Sequence, residues 1–254
     1  MVAALLAYGR VASIHRSIGA VLARLPARPS DALSPSERGS LGERLRGIRH
    51  RFTSGDDLAW LLASVARAWD EAGSLGAYVE GGADGSEPLR AGLSRWHRLA
   101  ASVEADPSPA RRRARAFLLA DPAGGAALKR SLLLARWCVR PDDGLDLGLW
   151  GGGGRLLPRH LVIPLDTHVH RVARQLRLTR RRAADWKTAR EVTDRLLVYD
   201  PDDPVRFDFA LARPGIVGLC RHRHVPEVCA PCDLRTCCRF GTPRRRGTPT
   251  VTTS

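Results

Sequence analysis

The stretch Leu161-Val-Ile-Pro-Leu-Asp-Thr-His-Val-His-Arg-Val172 decides the fold class. Its first four residues are the one part of the chain that resembles a β-strand, and Pro164 argues against a strand by removing a ladder donor. A helix start follows. Asp166 stands directly before an apolar-periodic run and is a natural N-cap, its carboxylate accepting orphan N–H groups of the first turn. With the strand signal cancelled, what remains is a series of short helical patterns joined by short polar connections. That is the signature of an all-α fold.

Working outward, further helices are predicted near 184–199 and 204–212, with the Asp166 helix running over 167–178. Upstream, helical periodicity predicts elements over 1–25, 56–72, 88–104, 109–120 and 124–139. Residues 26–50 are rich in Pro, Ser and Arg and read as a loop or weak helix. Gly81, Gly82 and Gly85 break the chain, and residues 141–160 are Gly/Asp-rich and irregular. The expected organisation is a helical body over 1–214, a cysteine loop over 215–240 and a disordered basic tail over 241–254. The first helix has no cap before Met1, which leaves open whether further residues precede it.

The 254 residues carry a formal charge of +15, and only Lys129 and Lys187 among the 41 basic residues are lysines. That balance favours polyanions as partners, since arginine forks meet phosphates bidentately; a GC-rich genome would also enrich arginine. The apolar start runs straight into Arg10, His15 and Arg16 without a basic segment before it, so it reads as an amphipathic helix rather than an export signal. No apolar run reaches the roughly 18–20 residues of a membrane span. The expectation is a cytoplasmic monomer.

Five of the six cysteines crowd into Cys220, Cys229, Cys232, Cys237 and Cys238. Four of them give C-x8-C-x2-C-x5-C, and without a secretion signal this suggests a zinc or iron–sulfur site rather than disulfides. Cys237 could replace Cys238 with a shorter last gap. His222 and His224 lie inside the loop, and Arg221, Arg223, Arg235 and Arg239 make it basic. Cys138, in an apolar helix, reads as a buried core thiol.

The run I-P-L-D-T-H-V-H-R-V followed by this cysteine spacing resembles the endonuclease III group of helix-hairpin-helix DNA glycosylases. Those enzymes carry V-D-T-H-x-x-R-V with a catalytic Asp and end in a [4Fe–4S] loop spaced C-x6-C-x2-C-x5-C. The wider pattern is closer still to an uncharacterised bacterial family distantly related to them. It includes R-F-T-S-G-D-D-L at 51–58, K-R at 129–130, C-V-R-P-D-D-G-L-D-L-G-L-W at 138–150 and D-P-D-D-P-V-R-F-D-F-A-L at 200–211. The resemblance implies a two-lobed helix-hairpin-helix glycosylase-like fold with a C-terminal four-cysteine loop. It implies catalytic Asp166, with His168 and Arg171 on its helix, and cluster ligands Cys220, Cys229, Cys232 and Cys238. Lys129, Arg130, Arg155, His168 and Arg171 are the expected contacts to double-stranded DNA carrying a damaged or mismatched base. The implied activity is a monofunctional N-glycosylase. The alternative is a catalytically inactive iron–sulfur or zinc protein that binds nucleic acid.

One departure is plain. The glycosylases place a hairpin of the type L-P-G-V-G-x-K-T-A before the Asp, and this chain has Gly144-Leu-Asp-Leu-Gly-Leu-Trp-Gly-Gly-Gly-Gly-Arg155. Position 148, where the lyase lysine would fall, is glycine. The Gly-rich stretch could still offer N–H groups to a phosphate, and Lys129 could serve as a displaced nucleophile. Asp142, Asp143, Asp202 and Asp203 read as turn and cap residues, and Asp146 as a weaker candidate for the rim of the site.

Overall fold

A computed structural model describes residues 1–150 and 154–241, and among them the regular elements are helices apart from one small hairpin. The helix expected over 1–25 is two: α1 (Val2–Leu5) and α2 (Val11–Leu22). The break falls at Gly9, whose φ of +94° suits glycine. Tyr8 holds the turn in place by donating its hydroxyl to the His50 carbonyl at 2.7 Å. After single-turn α3 (Leu41–Arg44), strands β1 (Arg49–His50) and β2 (Thr53–Ser54) pair antiparallel. Two residues per strand leave no alternation to read, which is why the sequence hid them.

Helix α4 (Gly55–Ala72) starts where Ser54 and Asp57 form a capping box and stops at Gly73, φ +74°. Short α5 (Leu75–Glu80), capped by Ser74, was not foreseen. It packs on α4 and on α6 (Pro88–Ala101). Gly92 permits that contact, because a side chain there would strike the Val79 carbonyl. Next come α7 (Pro109–Leu118) and α8 (Lys129–Val139). The latter begins five residues later than expected, after a 3-10 turn at Pro122–Gly124 and a left-handed Leu128. Trp96, Leu5, Leu61 and Leu132 are fully buried in the common core, each contributing about 1.5–3 kcal/mol. The first helix packs against α8 and α2.

Residues Leu161–Leu165 are buried and form no strand. Instead they cross the core without regular structure, and the Ile163 N–H donates to Thr193 Oγ1 at 3.0 Å. Three helices follow, α9 (Thr167–Gln175), α10 (Trp186–Leu196) and α11 (Asp208–Ile216), before single-turn α12 (Pro226–Cys229) in the cysteine segment. Packing of α11 on α9 joins the Asp166 helix to the chain that leads into the cysteines.

A buried charge network locks the irregular segment after α8. Arg136 meets Asp208 at 2.5 Å and Asp146 at 3.3 Å. Arg140 meets Asp203 at 2.9 Å and Asp143 at 3.0 Å, and also binds Asp146. Asp146 is fully buried here, so it is a strut of the fold and not a rim residue. Asp142 and Asp143 do accept turn N–H groups, as expected, from Gly144 and from Leu145 and Asp146. No helix among the described residues is long and apolar enough to cross a membrane.

Candidate functional site

Asp166 caps α9: its Oδ1 accepts the Val169 N–H at 2.8 Å. The positive end of the helix dipole lies against the carboxylate. Its other oxygen, Oδ2, lies 4.0 Å from Lys129 Nζ. Lys129 is the first residue of α8, so the fold brings one of the chain's two lysines to the expected catalytic carboxylate. Both side chains are part-exposed. A pair of that kind contributes under about 1 kcal/mol to stability, so its interest is chemical. Lys129 also lines a cavity of about 230 Å³ with Phe117, Leu128 and Arg130, and Asp166 is not in its wall.

Asp208, which sequence reasoning did not single out, is buried on α11, the helix that packs on the Asp166 helix. Burial pushes its carboxyl up to about 6, against the pull of Arg136; the negative charges of Asp166 and Asp146 push the same way. Asp208 lay within the D-P-D-D-P-V-R-F-D-F-A-L pattern, but nothing local marked it as buried.

The other expected DNA contacts divide. The Arg130 guanidinium is enclosed by the Phe117 and Tyr8 rings, 4.3 and 4.9 Å from their centroids. It also donates to the Phe117 carbonyl, so it ties α8 to α7 and the N-terminal turn rather than standing free for a phosphate. His168 packs against Gly215 of α11, and its Nδ1 is buried without a partner. Arg171 and Arg155 are exposed, Arg155 within 3.4 Å of Asp84. Within the Gly144–Arg155 stretch expected to offer N–H groups to a phosphate, those described up to Trp150 are largely engaged by the protein. Asp142 and Asp143 take the N–H groups of residues 144–146, while Leu147 and Gly148 donate to Trp137 O and Trp150 to Cys138 O. Gly151–Gly153 lie outside the described residues, as does the tail from residue 242.

Cys220, Cys229, Cys232 and Cys238 line one cavity of about 560 Å³. Cys237 is not in its wall; it is exposed, with its Sγ 3.3 Å from Leu234 O. His222 Nδ1 lies 2.5 Å from Gln175 Nε2, and His224 Nδ1 lies 2.8 Å from Phe240 O, so both rings are engaged by protein groups. Among the described residues no group of three His, Cys, Asp or Glu side chains closes up far enough to hold a single ion. The four flanking arginines are exposed. Cys138 is a core thiol as expected, pushed up to about 11 by burial.

The family described as "Protein of unknown function (DUF2400)" matches residues 1–217. The chain belongs to this family. The DUF2400 match takes in Lys129, Asp166 and Asp208 and stops just short of Cys220. No curated protein and no solved structure matches the chain.

Proposed function

We propose that this DUF2400 protein binds double-stranded DNA and cleaves the N-glycosidic bond of a damaged or mismatched base. The observation that carries this reading is the approach of Lys129, which lines a cavity, to Asp166 at a helix start. In the reaction the C1′–N bond breaks and its electron pair leaves with the base. Water adds to C1′ and gives up a proton. Asp166 stabilises the cationic sugar and takes that proton. Lys129, 4.0 Å from Asp166, would neutralise the departing base or an adjacent phosphate. The reading carries with it the two-lobed helix-hairpin-helix glycosylase-like fold and a cytoplasmic monomer.

Cys220, Cys229, Cys232 and Cys238 are proposed to hold a [4Fe–4S] cluster, with zinc the alternative. Their shared cavity supports the set and favours Cys238 over Cys237. One zinc with bonds of about 2.3 Å draws its sulfurs to about 4 Å from one another, whereas a four-iron cubane spreads its ligands wider. The group's part here is structural: it would hold a loop bearing Arg221, Arg223, Arg235 and Arg239 against phosphates.

A second reading, an iron–sulfur or zinc DNA-binding protein without turnover, is favoured by the occupied N–H groups of 144–148, which are closed to a phosphate. One experiment separates the two. Anaerobically purified protein is assayed for iron, sulfide and zinc, then for base release on a panel of lesion duplexes, with Asp166→Asn as control. Base release lost in Asp166→Asn with affinity kept supports the enzyme. Equal binding and no release by either protein supports the second reading.

A further inference from the structure

A strained hairpin tip presents a ring beside the same cavity. Strands β1 and β2 are joined by Arg51 and Phe52 alone. Arg51 has φ +52°, a conformation two-residue hairpins usually assign to Gly, Asn or Asp and costly to other residues. The tip is held nonetheless. Arg51 packs over Gly9, Tyr8 bonds to the His50 carbonyl, and Ser17 Oγ lies 2.9 Å from His50 Nδ1. Strain retained by so many contacts is a recurrent mark of a functional position.

Phe52 is 62% exposed. A lone exposed phenylalanine would need no explanation, but this one is the outer member of a row. It meets Phe117 edge-to-face at 5.5 Å, and Phe117 meets Tyr8 at 5.0 Å. Cations are interleaved: Arg51 lies 5.6 Å from the Phe52 ring and Arg130 4.3 Å from that of Phe117. Phe117 is then a wall of the 230 Å³ cavity that Lys129 shares, and Lys129 leads to Asp166.

We propose that Phe52 and Phe117 form a stacking subsite for an unpaired nucleobase, so that the preferred ligand is a duplex with a base already out of its pair. The inference rests on the DNA-binding reading and deepens it. Rings accept any base face, which makes stacking tolerant of sequence, while the exposed Arg51 beside Phe52 can hold the strand. Bases in a regular duplex are stacked on their neighbours and cannot reach such rings.

The test uses two duplexes carrying 2-aminopurine, one fully paired and one with the probe in a single-nucleotide bulge. Wild-type protein should bind the bulged duplex more tightly and quench its fluorescence. Phe52→Ala and Phe52→Leu should weaken bulged binding about tenfold and leave paired binding within about twofold, while Phe52→Trp keeps both affinity and quenching. Phe52 is exposed, so these variants should fold. Wild-type affinity in Phe52→Leu would overturn the proposal in favour of a plain apolar contact. Equal losses on the two duplexes would overturn it in favour of a general DNA contact. A wild-type protein that binds neither duplex would instead remove the DNA reading on which the proposal rests.

Discussion

Asp166 has two separable duties, capping α9 and serving the proposed chemistry. Asparagine caps a helix about as well as aspartate. Asp166→Asn should therefore keep the wild-type urea midpoint while losing turnover. Asp166→Ala should lose turnover and about 1 kcal/mol of stability, read from the same urea titrations. The cap was legible in the sequence because it depends on a contact three residues away. Its partner Lys129 was not, since the two meet only when α8 and α9 assemble. Residue type also failed to foretell availability: Arg130 and His168 suit DNA chemically, yet the fold encloses one between rings and lays the other on Gly215.

At the scale of elements, α8 and α11 are joined through the buried Arg136–Asp208 contact. Burial raises Asp208 to about 6, so the folded state holds this proton more tightly than the unfolded chain. The stability it contributes is full below about pH 4 and is lost as pH rises through about 6. Between those limits wild type should lose on the order of 2–3 kcal/mol relative to Asp208→Asn, whose side chain does not titrate. Urea titrations of both proteins at pH 4 and pH 7 measure the difference. A second carboxyl works in a lower window. Although burial opposes it, the Thr188 N–H and Arg181 hold Asp185 down to about 2, so its contribution is present above pH 4 and fades below. Close approach of α5 and α6 gives another expectation: Gly92→Ala should cost about 1–3 kcal/mol, because the new methyl meets backbone that cannot yield. Its thermal midpoint checks this. Helices longer than nine residues were legible from periodicity. Both α5 and the hairpin were too short to carry a period.

For the whole molecule, the core of buried leucines and tryptophans includes none of the five crowded cysteines. Cys232→Ser, which removes one proposed ligand, should leave helical circular dichroism near the wild-type value. It should make residues 215–241 markedly more sensitive to limited proteolysis. Loss of the helical signal would mean that the loop supports the body itself. The sequence by itself determined the all-α class, the cap at Asp166 and the crowding of thiols. Each follows from periodicity, one local hydrogen bond or spacing along the chain. Only the tertiary structure decided which groups meet: Lys129 with Asp166, four cysteines but not the fifth around one cavity, and Phe52 in line with Phe117. Those contacts depend on how helices far apart in the chain pack together, and burial then sets which charges are paired and which rings face solvent.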